Sequence, residues 1–149
     1  MTGSFKTVQS VRICQVRDGG IRFAVDRITS PADVYAAVRE YYRGADREIL
    51  SVLCLDSRHA PVCFHVASVG TLNTTRTRAA EIVKPAILSN ASAVLLIHNH
   101  PSGDLEPSPD DVAFTRNLRQ ACELLGLTLH DHLVIGDNGF ISLRARGLI

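Results

Sequence analysis

The sequence predicts a single α/β domain of the α+β kind, a mixed, curved β-sheet flanked by helices. Three observations carry this. Apolar runs of strand length, rich in Val, Leu and Ile, alternate with stretches of helical period. The alternation lacks the regular rhythm of a doubly wound parallel sheet, so strands of both senses are expected. Finally, 149 residues, 46% hydrophobic and 21% charged, suffice for one core and no second.

Residues 7–17 and 21–25 read as two strands, because Ile21, Phe23 and Val25 alternate with polar or small neighbours. The "RDGGI" between them supplies a hairpin turn. "SPADVYAAVREYY" opens a helix, with Ser30 as N-cap, Pro31 at the first helical position and Asp33 at N3. "EILSVLCL" (48–55) and "PVCFHVASVG" (61–70) read as strands joined by the polar "DSRHA", and their apolar filling predicts the centre of the sheet. Residues 74–90 read as a helix with Ile82, Ala86 and Leu88 or Ser89 near one side. Pro85 is expected to kink it or detach its last turn. "ASAVLLIHNH" is too continuous to alternate and reads as a strand covered on both faces. A helix follows over 109–125, with Val112, Leu118, Cys122 and Leu125 at helical spacing and Gly126 as its stop. "LTLHDHLVIG", the turn "GDNG" and the short strand "FISL" close the chain. Within one domain, 1–149, residues 1–43 form an N-terminal hairpin and helix, and 44–149 the core.

Composition narrows the function classes. Net charge is +1, aromatic content 5%, and Trp is absent. This argues against a basic or stacking surface for direct nucleic-acid binding. Lys6, Arg12, Arg17, Arg22 and Arg27 read as solvated positions on the first strands. No apolar leader or window of transmembrane length occurs, which predicts a cytoplasmic protein without membrane contact. Cys14, Cys54, Cys63 and Cys122 form no C-x-x-C pair and read as buried free thiols in a reducing compartment.

"LLIHNHPSGD" (95–104) spells HNH, yet the informative feature is H-x-H. Alternation on a strand sends His98 and His100 to one side and Asn99 to the other. "PSGDLEP" then turns the chain into "SPDD", which repeats the pattern of "SPAD" at 30–33. A capping box explains both copies. Only the second follows an H-x-H, eight residues before its serine. Two His and one Asp offer three nitrogen and oxygen ligands and leave a fourth position open, the arrangement of a catalytic zinc site. A match to the whole pattern by chance is expected about once in a thousand chains of this length.

These residues resemble the JAMM motif of the JAB/MPN-domain metalloproteins, H-x-H-x7-S-x-x-D preceded by a distant Glu. "HNHPSGD", "GTLN" at 70–73, "DHLVIG" at 131–136 and the ending "ISLRARGLI" are similar to the RadC-like branch of that group. The resemblance covers residues 44–149. It implies the MPN/JAB architecture, which is cytidine deaminase-like, and a Zn2+ cofactor held by His98, His100 and Asp111. Ser108 would stabilise the oxygen that gains charge, and Glu48 would match the distant Glu as general base. Judged by residues alone, Glu106 in the loop beside the ligands rivals Glu48, while Glu40, Glu81 and Glu123 read as helix-surface charges.

The implied activity is hydrolysis of peptide or isopeptide amides by water that zinc activates, with a peptide or protein as substrate. The alternatives are a non-catalytic MPN interaction module, or a RadC-type DNA-repair-associated factor acting through a partner. Fuller RadC proteins carry a DNA-associated helix–hairpin–helix region, where these first 43 residues read as a hairpin and helix. Exposed strand edges leave a homodimer open. In "HDH" (130–132), His130 and His132 are expected to share a strand face without a third ligand. Asp131 or His132 is instead expected to orient a metal-binding histidine through its other ring nitrogen. His59 and His65 have no motif context.

Overall fold

The computed structural model describes residues 8–70 and 77–149. In chain order it contains α1 (Pro31–Tyr42), β1 (Ile49–Leu55), β2 (Pro61–Val69), α2 (Ala79–Leu88), β3 (Ala93–Asn99), α3 (Pro109–Leu124), β4 (Thr128–Gly136) and β5 (Gly139–Ser142). The strands form one sheet in the order β2-β1-β3-β4-β5. β3 and β4 are parallel and the other neighbours antiparallel, so the sheet is mixed, as expected.

β3 is the middle strand, and all seven of its residues are buried. Its alternation splits the core in two. Val94 and Leu96 join Leu50, Val52 and Cys54 of β1 beneath Ile82 and Ala86 of α2 and Leu118 and Cys122 of α3. Leu95 and Ile97 join Leu53, Leu133 and Ile135 beneath Val34, Val38 and Tyr42 of α1. His98 therefore inherits the face of α3, and Asn99 that of α1. The 48–70 pair is not the sheet's centre: β2 lies at an edge, with Val62 and Val69 exposed. An apolar run reports what lies above and below a strand, not what lies beside it.

The helix starts follow the capping chemistry. Ser30 and Ser108 both cap with complete boxes, each accepting from the N3 amide while the N3 aspartate accepts from the cap amide. Gly126 follows the last turn of α3 at φ +71°, a left-handed conformation suited to glycine.

Elsewhere the structure departs from expectation. The hairpin over 7–25 is not formed: residues 8–26 carry no strand, and residue 7 lies outside the described residues. Val8, Val11, Ile13 and Val16 are exposed, and a two-stranded hairpin with no sheet or helix to cover it is marginal in water. Cys14 in that stretch is exposed and Cys63 half-buried rather than buried, whereas Cys54 and Cys122 are buried, as expected. α2 begins at Ala79, and residues 77 and 78, expected within it, carry no helix; residues 74–76, like 71–73 of "GTLN", lie outside the described residues.

α2 also runs through Pro85 to Leu88 without a break, Pro85 being buried in the core while Leu88 is exposed. Ser89 supports the end of this helix, its hydroxyl donating to Pro85 O at 2.7 Å. The buried stripe of α3 is Asp111, Thr115, Leu118 and Cys122. Leu125, expected on that stripe, is exposed.

A last departure concerns "HDH". Val94 and Leu95 pair with Leu129 and Asp131, so His130 is the extra residue of a β-bulge. The bulge takes His130 out of alternation with His132. Its ring packs edge-on against His59, with centroids 4.6 Å apart, while His132 turns to His98. Among the described residues, no helix is long and apolar enough to cross a membrane.

Candidate metal centre

The C-terminal end of β3 and the first turn of α3 bring together His98, His100 and Asp111, with one ligand atom of each within 4.8 Å of the others. His98 Nε2 and His100 Nε2 are 2.9 Å apart. Asp111 Oδ2 lies 3.6 Å from His98 Nε2 and 3.7 Å from His100 Nε2. Ligands at zinc distances around a tetrahedron are separated by about 3.3 Å, so the triangle fits such an ion. His98 and Asp111 are buried, whereas the His100 side chain is 13% exposed and opens the centre to solvent.

Each ligand is aimed by a local contact. His100 Nδ1 lies 2.7 Å from Asp104 O, a carbonyl that can only accept, so Nδ1 carries the proton and Nε2 keeps its lone pair. Gly103, at φ +80°, gives the loop the turn that returns Asp104 to His100. Asp111 Oδ2 accepts from Ser108 N at 2.8 Å and Ser108 Oγ at 2.6 Å. Burial alone would raise the Asp111 carboxyl, but the neighbouring His100 and His98, with the Ser108 hydroxyl bonded to it, hold it well below the usual carboxylate range. Asp111 beside it in turn raises His100 above the ordinary histidine value, with a smaller push from the Glu48 charge.

The other candidates divide. Glu48 precedes β1 by one residue and is half-buried. Leu50 pairs with His98, so alternation puts Glu48 on the sheet face of the two histidines, within reach of His100 electrostatically. Glu106, its rival, is engaged by Arg146 Nη1 at 2.6 Å. His132 Nε2 is 2.7 Å from His98 Nδ1. Burial, then the neighbouring His98, hold its pKa well below the ordinary histidine value, so the ring is neutral. Asp131 instead accepts from Ser142 Oγ, His132 N and Arg144 N, tying β4 to the chain after β5.

Two residues escaped the sequence reading. Thr115 Oγ1 is 2.6 Å from His132 Nδ1 and donates to Asp111 O at 2.6 Å. Its signal was a threonine one turn after Asp111 in a helix interior, where the hydroxyl turns back to the carbonyl four residues earlier. Asn99, between the histidines, bonds the chain on both sides of Glu48. Only its alternation away from the ligands was legible beforehand.

The family model of the RadC-like JAB domain matches residues 28–148. The chain belongs to that family. Among its relatives, a UPF0758 protein of Desulforamulus reducens is 41% identical over 122 residues, covering 82% of this chain and 54% of the relative. Those of Roseiflexus castenholzii and Clostridium kluyveri are 39% identical over 122 residues and 42% over 123, covering 82% and 83% of this chain and 52% and 54% of the relatives. The chain thus spans about half the length of the curated relatives it matches. The five-stranded mixed sheet with three helices is consistent with the JAB fold, and the His-His-Asp group of this RadC-like domain can hold a metal ion.

Proposed function

We propose that this RadC-like JAB domain is a zinc-dependent hydrolase of peptide or isopeptide bonds, with His98, His100 and Asp111 as the metal ligands. The observation that carries the reading is the convergence of three ligand atoms within 4.8 Å at a solvent-facing sheet end. Three protein ligands suit a catalytic zinc rather than a structural one, which takes four. A zinc ion held there would supply Lewis acidity, polarising the amide carbonyl and making water acidic enough to attack near neutral pH.

The remaining work falls to the chain. Glu48 takes the proton of the attacking water and passes it to the leaving amine. Ser108 turns its hydroxyl from Asp111 Oδ2 to the oxygen that gains charge, while its amide keeps Asp111 in place. A purely scaffolding role is less well supported, because every ligand position of the motif is filled and the three side chains converge.

Metal analysis tests the ligand set. Wild type should hold close to one equivalent of zinc, and His98→Ala and Asp111→Ala none. Zinc-free wild type, or variants that retain the metal, would overturn it. The hydrolase reading is tested on a panel of peptide and isopeptide substrates. Glu48→Gln should keep zinc and lose about 10²- to 10⁴-fold in turnover. Full activity in Glu48→Gln, with loss in Glu106→Gln, would transfer the base to Glu106.

A further inference from the structure

We propose that Thr115 is a positioning residue that fixes, through His132, which ring nitrogen of His98 is free for a metal. The inference rests on the metal reading above and follows from counting protons along three short contacts. Thr115 Oγ1 is 2.6 Å from Asp111 O, and a carbonyl has no proton to give, so the only hydroxyl proton lies there. Thr115 Oγ1 must therefore accept in its 2.6 Å contact with His132, and His132 Nδ1 carries the hydrogen. A neutral His132 then presents a lone pair at Nε2. The 2.7 Å contact with His98 Nδ1 requires a proton from His98. That leaves the lone pair of His98 on Nε2, the nitrogen facing His100 and Asp111.

The relay is dry. Thr115 is 0% exposed, His132 1% and His98 0%, so no solvent competes with its polarity. It joins three elements: His98 at the end of β3, His132 on β4, and Thr115 nearly two turns into α3. Its far end is the carbonyl of Asp111, itself a ligand residue. One hydroxyl thus ties the position of the aspartate to the tautomer of a histidine two rings away. Without the hydroxyl, His132 has no reason to prefer Nδ1–H, and its flipped tautomer would put the His98 proton on Nε2, closing that nitrogen to a cation.

The test compares the wild-type chain, Thr115→Val and Thr115→Ser. Zinc affinity is read by competition with a chromophoric chelator, and ring tautomers by long-range 1H–15N NMR. Thr115→Val should bind zinc about 10- to 100-fold more weakly, the range for losing an outer partner of a ligand histidine. It should also lose the single Nδ1–H signature of His132, and Thr115→Ser should restore both. Wild-type affinity with unchanged tautomers in Thr115→Val would overturn the proposal. So would equal loss in Thr115→Ser, which would mean packing rather than the hydroxyl. If Thr115→Val does not fold, wild type alone decides: Nδ1–H on His132 supports the relay, and Nε2–H refutes it. A wild type that takes no zinc would sink the metal reading, while the His132 tautomer would still judge the relay.

Discussion

Asn99 holds the backbone on either side of Glu48: its Nδ2 donates to Arg47 O at 3.0 Å, and its Oδ1 accepts from Ile49 N at 2.7 Å. The residue between the two histidines thus anchors the strand entry that carries the proposed base. Asn99→Ala leaves the Ile49 amide without its acceptor and is expected to cost about 1–3 kcal/mol, measured by urea denaturation. Asn99→Asp keeps the acceptor for Ile49 but sets a carboxylate against the Arg47 carbonyl, and should be destabilised as well. Both should retain zinc while losing turnover. A stability equal to wild type in Asn99→Ala would show that the anchor contributes nothing.

The two capping boxes form an internal control. Ser30→Ala and Ser108→Ala each remove a side-chain acceptor for an N3 amide, at an expected cost of about 1 kcal/mol. Only Ser108 also bonds a carboxylate at the candidate centre. Zinc affinity, measured by chelator competition, should fall in Ser108→Ala and stay unchanged in Ser30→Ala.

The bulged His130 predicts a pH dependence. Burial, then His59 and Arg144, depress its pKa, against a smaller opposing effect of Asp131, and its Nε2 is buried without a partner. Above the unfolded value of about 6.5 the ring is neutral in both states, and folding carries no penalty from it. As pH falls through that value the unfolded chain takes the proton first, so stability drops until the folded pKa is reached. Urea midpoints near pH 8 and pH 5.5 should therefore differ more in wild type than in His130→Gln. An equal drop in both would remove His130 from the account.

Thiol labelling should follow burial. Cys54 is pushed up to about 12 by burial and then by Cys63, and Cys122 to about 11, chiefly by burial. Cys14 is exposed. Native protein treated with iodoacetamide should gain one adduct rapidly, at Cys14, and four after denaturation, read by intact mass. Rapid labelling of Cys122 would contradict the packing of α3 on the sheet.

What the sequence determined by itself was local or motif-borne. Both helix starts were legible because Ser-Pro-x-Asp caps a helix through its own first turn. The strand "ASAVLLIHNH" was legible because seven covered positions leave no polar alternation. His98, His100 and Asp111 were legible because strand alternation and a fixed spacing put them in one pattern, and the three converge.

Tertiary structure decided whatever depended on a neighbour. An amphipathic pattern at 7–25 could not say whether a sheet edge would accept it, and none does among the described residues. The place of β2 at an edge was set by which strands lie beside β1, a matter of topology. His130 and His132 were separated by a bulge, which depends on pairing with β3. Thr115 and Asn99 came to the centre only when α3 packed on β4 and β3 paired with β1, because a hydrogen bond between residues far apart in sequence has no period to betray it.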